Sequence, residues 1–253
     1  MMIDTHCHLL KKNYPDIDDV VNKMGNNIII VSGDNTETNH EVMELINKYE
    51  NVYGTLGIHP EEANNYTDND IKYIEDNINN QKIIGIGEIG LDYYWIKDNK
   101  EKQKELFIKQ IELANKYNKT IVIHSRESIL DTYEILKKYM RTKAVLHAYS
   151  SSLEMAYRFK KMNIIFGIGG VLTFKNSNKL KEVVENLDLS NFVLETDSPY
   201  LTPEPYRGHR NEPYNIIYVA KKIADIKGIS LDEVLSSTTE NAINQFDLST
   251  KLC

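Results

Sequence analysis

The chain has little of what would place it in a membrane or an oxidising compartment. It has two cysteines in 253 residues, one of them the last residue, so there is no disulfide framework. No apolar run approaches the roughly 20 residues that cross a bilayer. The opening residues lack the basic-then-apolar order of a signal peptide. A cytoplasmic protein with no membrane partner is expected, with a nuclear location as the alternative. Positive charge is also scarce: 30 Lys and Arg stand against 37 Asp and Glu, a net charge of −7. The overall field therefore opposes nucleic acid, and such a substrate would need metal ions and a local basic patch. Repeats, Gly/Ser linkers and long charge blocks are all missing. A single domain over residues 1–253 is expected, acting as a monomer.

What is present is an alternation. Short runs rich in Ile, Val and Leu occupy residues 2–4, 27–32, 52–57, 83–87, 120–123, 144–146, 164–167 and 192–195. Several are almost continuously apolar, as strands covered on both faces should be. Between them lie helical patterns. Leu106, Phe107, Ile111, Ala114 and Tyr117 recur at helical spacing over 101–118. Ser151-x-x-Glu154 and Ser230-x-x-Glu233 have the form of capping boxes. Gly228 suits a helix stop, and helices over 213–227 and 231–246 close the chain. Eight strands alternating with helices predict a (β/α)8 TIM barrel. The alternative is an open doubly wound sheet, but no Gly-rich phosphate loop follows the first strand, which counts against a Rossmann domain.

In such barrels chemistry gathers at the C-terminal ends of the strands. Strand 1 ends on His6-Cys7-His8, and the strand period of two turns both imidazoles to one side and Cys7 to the other. Strand 3 ends at His59, strand 4 carries Glu88, strand 5 ends His124-Ser125-Arg126, strand 6 ends at His147, and strand 8 ends Glu195-Thr196-Asp197. Five of the seven histidines fall at these ends. Four histidines and two carboxylates exceed one tetrahedral ion. They suit two divalent ions about 3.5–4 Å apart. His6, His8 and Asp197 would hold the first, His124 and His147 the second, with Glu88 between them. An N/O donor set of this kind suits Mn²⁺, Zn²⁺ or Mg²⁺.

Ile-Asp-Thr-His-Cys-His, Gly-Ile-His-Pro, Gly-Glu-Ile-Gly-Leu-Asp, Ile-His-Ser-Arg, Leu-Glu-Thr-Asp-Ser-Pro-Tyr-Leu and Arg-Gly-His-Arg-Asn-Glu-Pro occur in this order. Together they resemble the TatD family of metal-dependent deoxyribonucleases, among the amidohydrolase-like barrels. The resemblance runs from residue 3 to about residue 242. It implies a (β/α)8 fold, a divalent-metal phosphodiesterase acting on DNA from the 3′ end, and metal binding at His6, His8, Glu88, His124, His147 and Asp197. One motif departs: the family's His-Cys-Phe-Ser-Gly is here His147-Ala148-Tyr149-Ser150-Ser151, which alters a substrate loop but keeps the ligand.

The expected reaction is metal-assisted hydrolysis of a phosphodiester, with Asp197 orienting and deprotonating the water. His59 falls to the scissile phosphate or the leaving oxygen, although it could simply cap the turn before Pro60. Arg126, Arg207 and Arg210 are the candidates for phosphate. Each has a plainer reading: Arg126 in a barrel salt bridge, the other two paired with Glu195, Glu204 or Glu212. Tyr93, Tyr94 and Trp95 offer a stacking surface for bases or simply pack their loop. Asn241 is expected to fix the last helix, Glu195 to support Asp197 from the same strand face, and His40 and His209 to be inert. Ester hydrolysis on D-aminoacyl-tRNA is the alternative activity on the same centre. A small-molecule amidohydrolase is disfavoured because Glu88 stands where many of those carry a lysine.

Overall fold

A computed structural model describes residues 1–248, so Cys253 lies outside the described residues. The elements run in chain order: β1 (Ile3–Cys7), α1 (Ile17–Met24), β2 (Ile28–Ser32), α2 (Thr36–Lys48), β3 (Val52–Leu56), α3 (Asp68–Asn77), β4 (Ile83–Asp92), α4 (Lys100–Tyr117), β5 (Thr120–Arg126), α5 (Ile129–Tyr139), β6 (Ala144–Leu146), α6 (Leu153–Lys160), β7 (Ile164–Ile168), α7 (Asn178–Asn186), β8 (Phe192–Leu194), α8 (Ile216–Lys227) and α9 (Leu231–Gln245). The strands form one eight-stranded sheet in chain order. This is the (β/α)8 barrel expected from the alternation. No described helix is long and apolar enough to cross a membrane.

By packing, the chain divides into two compact units, Met1–Val31 with His147–Cys253, and Ser32–Leu146. In the first, β1 pairs in parallel with β2, and β7 with β8. The last strand also lies beside the first. Thr5 donates its hydroxyl to the Leu194 carbonyl at 2.9 Å, and Asp197 N–H reaches the His6 carbonyl at 3.0 Å. That neighbourhood excludes the open doubly wound sheet. In the second unit β3, β4, β5 and β6 pair successively in parallel. Every residue of β1 to β4 is buried, as the continuous apolar runs required. Each fully buried Ile or Val contributes on the order of 2 kcal/mol.

Several boundaries differ from the sequence reading, and β1, read as 2–4, runs on to Cys7. β4 continues past 87 to Asp92, because Ile89 to Asp92 find partners in Ile123 to Arg126 of a likewise longer β5. Gly90, at φ 146°, permits this: a side chain there would strike the His124 carbonyl. The cap expected at Ser151 is Ser152, whose hydroxyl accepts from Met155 N–H at 3.3 Å. The helix it opens buries Met155, Ala156 and Phe159. The helix expected from 213 opens as a 3₁₀ turn, Pro213–Asn215, before α8. Elsewhere the signals hold. Ser230 caps α9 through Glu233 N–H, and Gly228 ends α8 in the left-handed conformation. Asn241 ties α9 to the Leu189 and Phe192 carbonyls at 2.7 and 2.8 Å.

In the second unit, buried side-chain amides fix the backbone where strands end. Asn39 holds both polar groups of Gly57, at 3.1 and 2.9 Å. Gln110 does the same for Ile58 at 2.8 and 2.9 Å, and Gln103 for Asp92 at 2.9 and 2.9 Å. Backbone that leaves a ladder must find partners elsewhere, and an amide presents the donor and acceptor pair a neighbouring strand would.

Candidate metal centre

In the first unit, His6 and His8 turn the same way, as the strand period demanded. Their Nε2 atoms are 3.3 Å apart, and each lies 3.6 or 3.5 Å from Asp197 Oδ1. Cys7 faces away, buried, with its thiol on the Ile30 carbonyl. Ligands about 2.1 Å from an ion in tetrahedral array sit roughly 3.4 Å from one another, so this cluster fits a divalent cation. Asp197 is delivered by a left-handed turn, φ 53°, and not by strand alternation. Fully buried Asp4 holds that turn, accepting from Thr196 N–H at 2.9 Å and from its hydroxyl at 2.6 Å. Asn211 donates to the Thr196 and Tyr200 carbonyls at 3.0 and 2.7 Å. Burial works against the charge on Asp197, but the hydrogen bond from His8 and the charges of His147, His6 and His8 outweigh it and hold the carboxyl below its ordinary range.

His147 lies alongside His6, ring centres 4.1 Å apart, with Nδ1 3.7 Å from Glu195 Oε1. Glu195 is fully buried and accepts from Ala148 N–H at 2.5 Å. The support expected for Asp197 therefore goes to the His147 segment instead. β8 stops at Leu194, so alternation no longer relates residues 195 and 197. Tyr149, in the altered loop, turns inward against Phe166, with its hydroxyl on the Ser152 carbonyl.

In the second unit, His59, Glu88 and His124 form another group able to hold a cation. Glu88 Oε1 lies 2.7 Å from His124 Nδ1 and 3.8 Å from His59 Nε2. His124 Nε2 meets Asp92 Oδ2 at 2.9 Å. That is the carboxylate–imidazole pairing that fixes a ligand's tautomer and ring orientation. His59 does cap its turn, since Nδ1 accepts from Glu61 N–H at 3.3 Å. A neutral ring accepting at Nδ1 carries its proton on Nε2.

Asp92 escaped the sequence reading as a functional residue, although the motif Gly-Glu-Ile-Gly-Leu-Asp ends on it. Besides His124 it accepts from Tyr94 and Trp95 N–H at 2.8 and 3.1 Å. Burial again opposes ionisation, but the hydrogen bond from His124 and those backbone donors hold the carboxyl below its ordinary range. A depressed carboxylate stabilises above its unfolded pKa of ~3.9 and loses that contribution as pH falls through the folded value. Asp92→Asn should thus flatten the loss of thermal stability below pH ~4. Metal affinity, read by calorimetric titration, should fall about 10- to 100-fold. Unchanged affinity would show that Asp92 does not orient His124.

The three arginines divide. Arg210 is bidentate to Asp16 at 2.7 Å, lies 3.5 Å from Glu212 and covers the Tyr14 ring, so its charge is engaged within the protein. Arg207 stacks on Phe174 at 3.7 Å and Arg126 on Tyr94 at 4.0 Å. Neither guanidinium makes a hydrogen bond or ion pair among the described residues. His40 stacks on Tyr73, and His209 is exposed.

The profile of the TatD-related DNase family matches residues 3–247. The metal-dependent hydrolase YabD of Bacillus subtilis is 39% identical over 255 residues, covering 98% of this chain and all of its own. The crystal structure of YjjV, a TatD homologue from Escherichia coli K12, matches with a TM-score of 0.87 at 28% identity, over 97% of this chain and 98% of its own. That of a TatD family hydrolase from Entamoeba histolytica matches at 0.86 and 27% identity, over 97% of each chain. The chain belongs to the TatD family of metal-dependent hydrolases.

Proposed function

We propose that the protein hydrolyses DNA phosphodiester bonds, removing nucleotides from a single-stranded 3′ end, with two divalent ions as cofactor. The observation that carries this reading is the convergence of His6, His8 and Asp197 on a point of ligand geometry. The DNase description of the family supplies the substrate class. The residues that would hold the ions are His6, His8, His147 and Asp197 of the first unit and Glu88 and His124 of the second. Bound divalent ions supply charge for the phosphoryl oxygens and lower the pKa of water toward ~7.

The chain's own groups do the rest. Asp197, ionised at neutral pH by its imidazole neighbours, orients the attacking water and accepts its proton at the carboxylate. His59 presents its Nε2–H to the leaving oxygen as a hydrogen-bond donor, the role left to it once Nδ1 is taken by the turn, and the proton that oxygen finally takes comes from solvent water. Arg207, with a free guanidinium edge, pairs with substrate phosphate, while Arg210 braces the loop that carries it.

The test strips the protein with chelator and restores Mg²⁺ or Mn²⁺ with a 3′-labelled single-stranded oligonucleotide, beside a D-aminoacyl-tRNA. His124→Ala controls for contamination. Metal-dependent shortening that the variant loses is the expected result. Intact DNA with deacylated tRNA would overturn the nuclease reading in favour of ester hydrolysis.

A further inference from the structure

Within the residues 93–95, which the sequence left between packing and stacking, the structure separates two roles. Tyr93 packs: it is 7% exposed, its hydroxyl donates to Asp131 at 2.7 Å, and Lys100 lies over its ring. Tyr94 and Trp95 do the opposite. They are 42% and 62% exposed and meet edge to face, ring centres 4.7 Å apart. Arg126 lies against both, 4.0 and 5.3 Å from the ring centres, with no other partner for its guanidinium among the described residues. The most exposed large apolar side chain described is thus Trp95, beside an unspent cation. Nor is the group a loose loop. The Tyr94 and Trp95 N–H groups both bind Asp92 Oδ1, while Asp92 Oδ2 holds His124. One carboxylate fixes the aromatic pair and a candidate metal ligand together.

We infer that Tyr94, Trp95 and Arg126 form a nucleotide subsite, in which an unpaired base of single-stranded DNA stacks on Trp95 and its phosphate takes the free guanidinium edge of Arg126. An indole face offers stacking to any base, and a stacked arginine keeps its N–H edge for phosphate. A base still paired and stacked in a duplex cannot present its face, so the subsite selects single-stranded ends and does so without reading sequence. On a protein of net charge −7 it also supplies a local cation for phosphate. The inference rests on the DNA reading above and deepens it.

Trp95 is the only tryptophan of the chain, so its fluorescence reports this subsite alone. The metal-loaded full chain is titrated with a cleavage-resistant phosphorothioate oligothymidylate, with the blunt duplex of the same length, and with an abasic sugar–phosphate oligomer. Saturable quenching by the single strand, weak or none by the other two, is the expected result. In steady-state hydrolysis Trp95→Ala should raise KM about 5- to 150-fold, with the loss falling on KM more than on kcat, and Trp95→Phe should restore most of it. Arg126→Ala should reduce the slope of log Kd against log salt by about 0.7. Absence of quenching by the single strand, or equal quenching by the abasic oligomer, would overturn the subsite. Quenching without any hydrolysis of DNA would instead overturn the nuclease reading and leave the subsite standing.

Discussion

Replacing Glu88 by alanine is expected to lower metal-dependent hydrolysis at least ~10³-fold, since the metal supplies several kcal/mol of transition-state stabilisation and ~1.4 kcal/mol is a factor of ten. Glu88 is 3% exposed, and its Oε1 faces His124 at 2.7 Å and His59 at 3.8 Å. Without it two imidazoles keep their positions but lose the buried anion between them, and an ion bound there loses charge as well as a ligand. Glu88→Gln keeps the shape and an oxygen but no charge, so it separates the two losses: metal content should fall in both variants, and further in alanine. The contrast with Asp92→Asn is informative. Asp92 touches His124 only at Nε2, so its loss should cost ten- to a hundredfold in affinity and no more. Hydrolysis by Glu88→Ala within tenfold of wild type, in folded protein by circular dichroism, would remove Glu88 from the centre.

The ligands were legible because a strand has a period of two and a barrel collects strand ends. His6 and His8 needed nothing else, and Cys7 is buried on the other side as that period required. Asp197 was found by its motif, yet its placement follows a different cause. It comes from a left-handed turn pinned by Asp4, 193 residues away in sequence and visible there only as the residue before Thr5. Arg210 illustrates the same limit: Glu212 was a foreseeable neighbour, while Asp16, which takes both its donors, lies 194 residues off. The amide clamps were invisible for another reason. Gln103 and Gln110 stand on the inner face of α4 among Leu106, Phe107, Ile111 and Ala114. A search for apolar periodicity counts them as interruptions, because what they satisfy is backbone of distant strands.

Those clamps carry the other large effect. Gln110→Met should lower the unfolding free energy by about 2–6 kcal/mol, because it leaves the buried Ile58 N–H and carbonyl without partners at ~1–3 kcal/mol each. In a chain of this length that is a fall of roughly 5–20 °C in Tm. The substitution preserves length and volume, so cavity formation adds little. Glu112→Met, at an exposed position of the same helix, is the control and should stay within ~0.5 kcal/mol. The functional consequence separates two roles for the next residue. Ile58 leads directly into His59, whose Nδ1 is already committed to its turn. If His59 steadies the leaving oxygen through its Nε2–H, loosening Ile58 should depress kcat while bound metal, measured by elemental analysis, stays at the wild-type level. Loss of metal in step with activity would instead make His59 a ligand, and a melting point within about a degree of wild type would show that Gln110 does not hold the strand end at all.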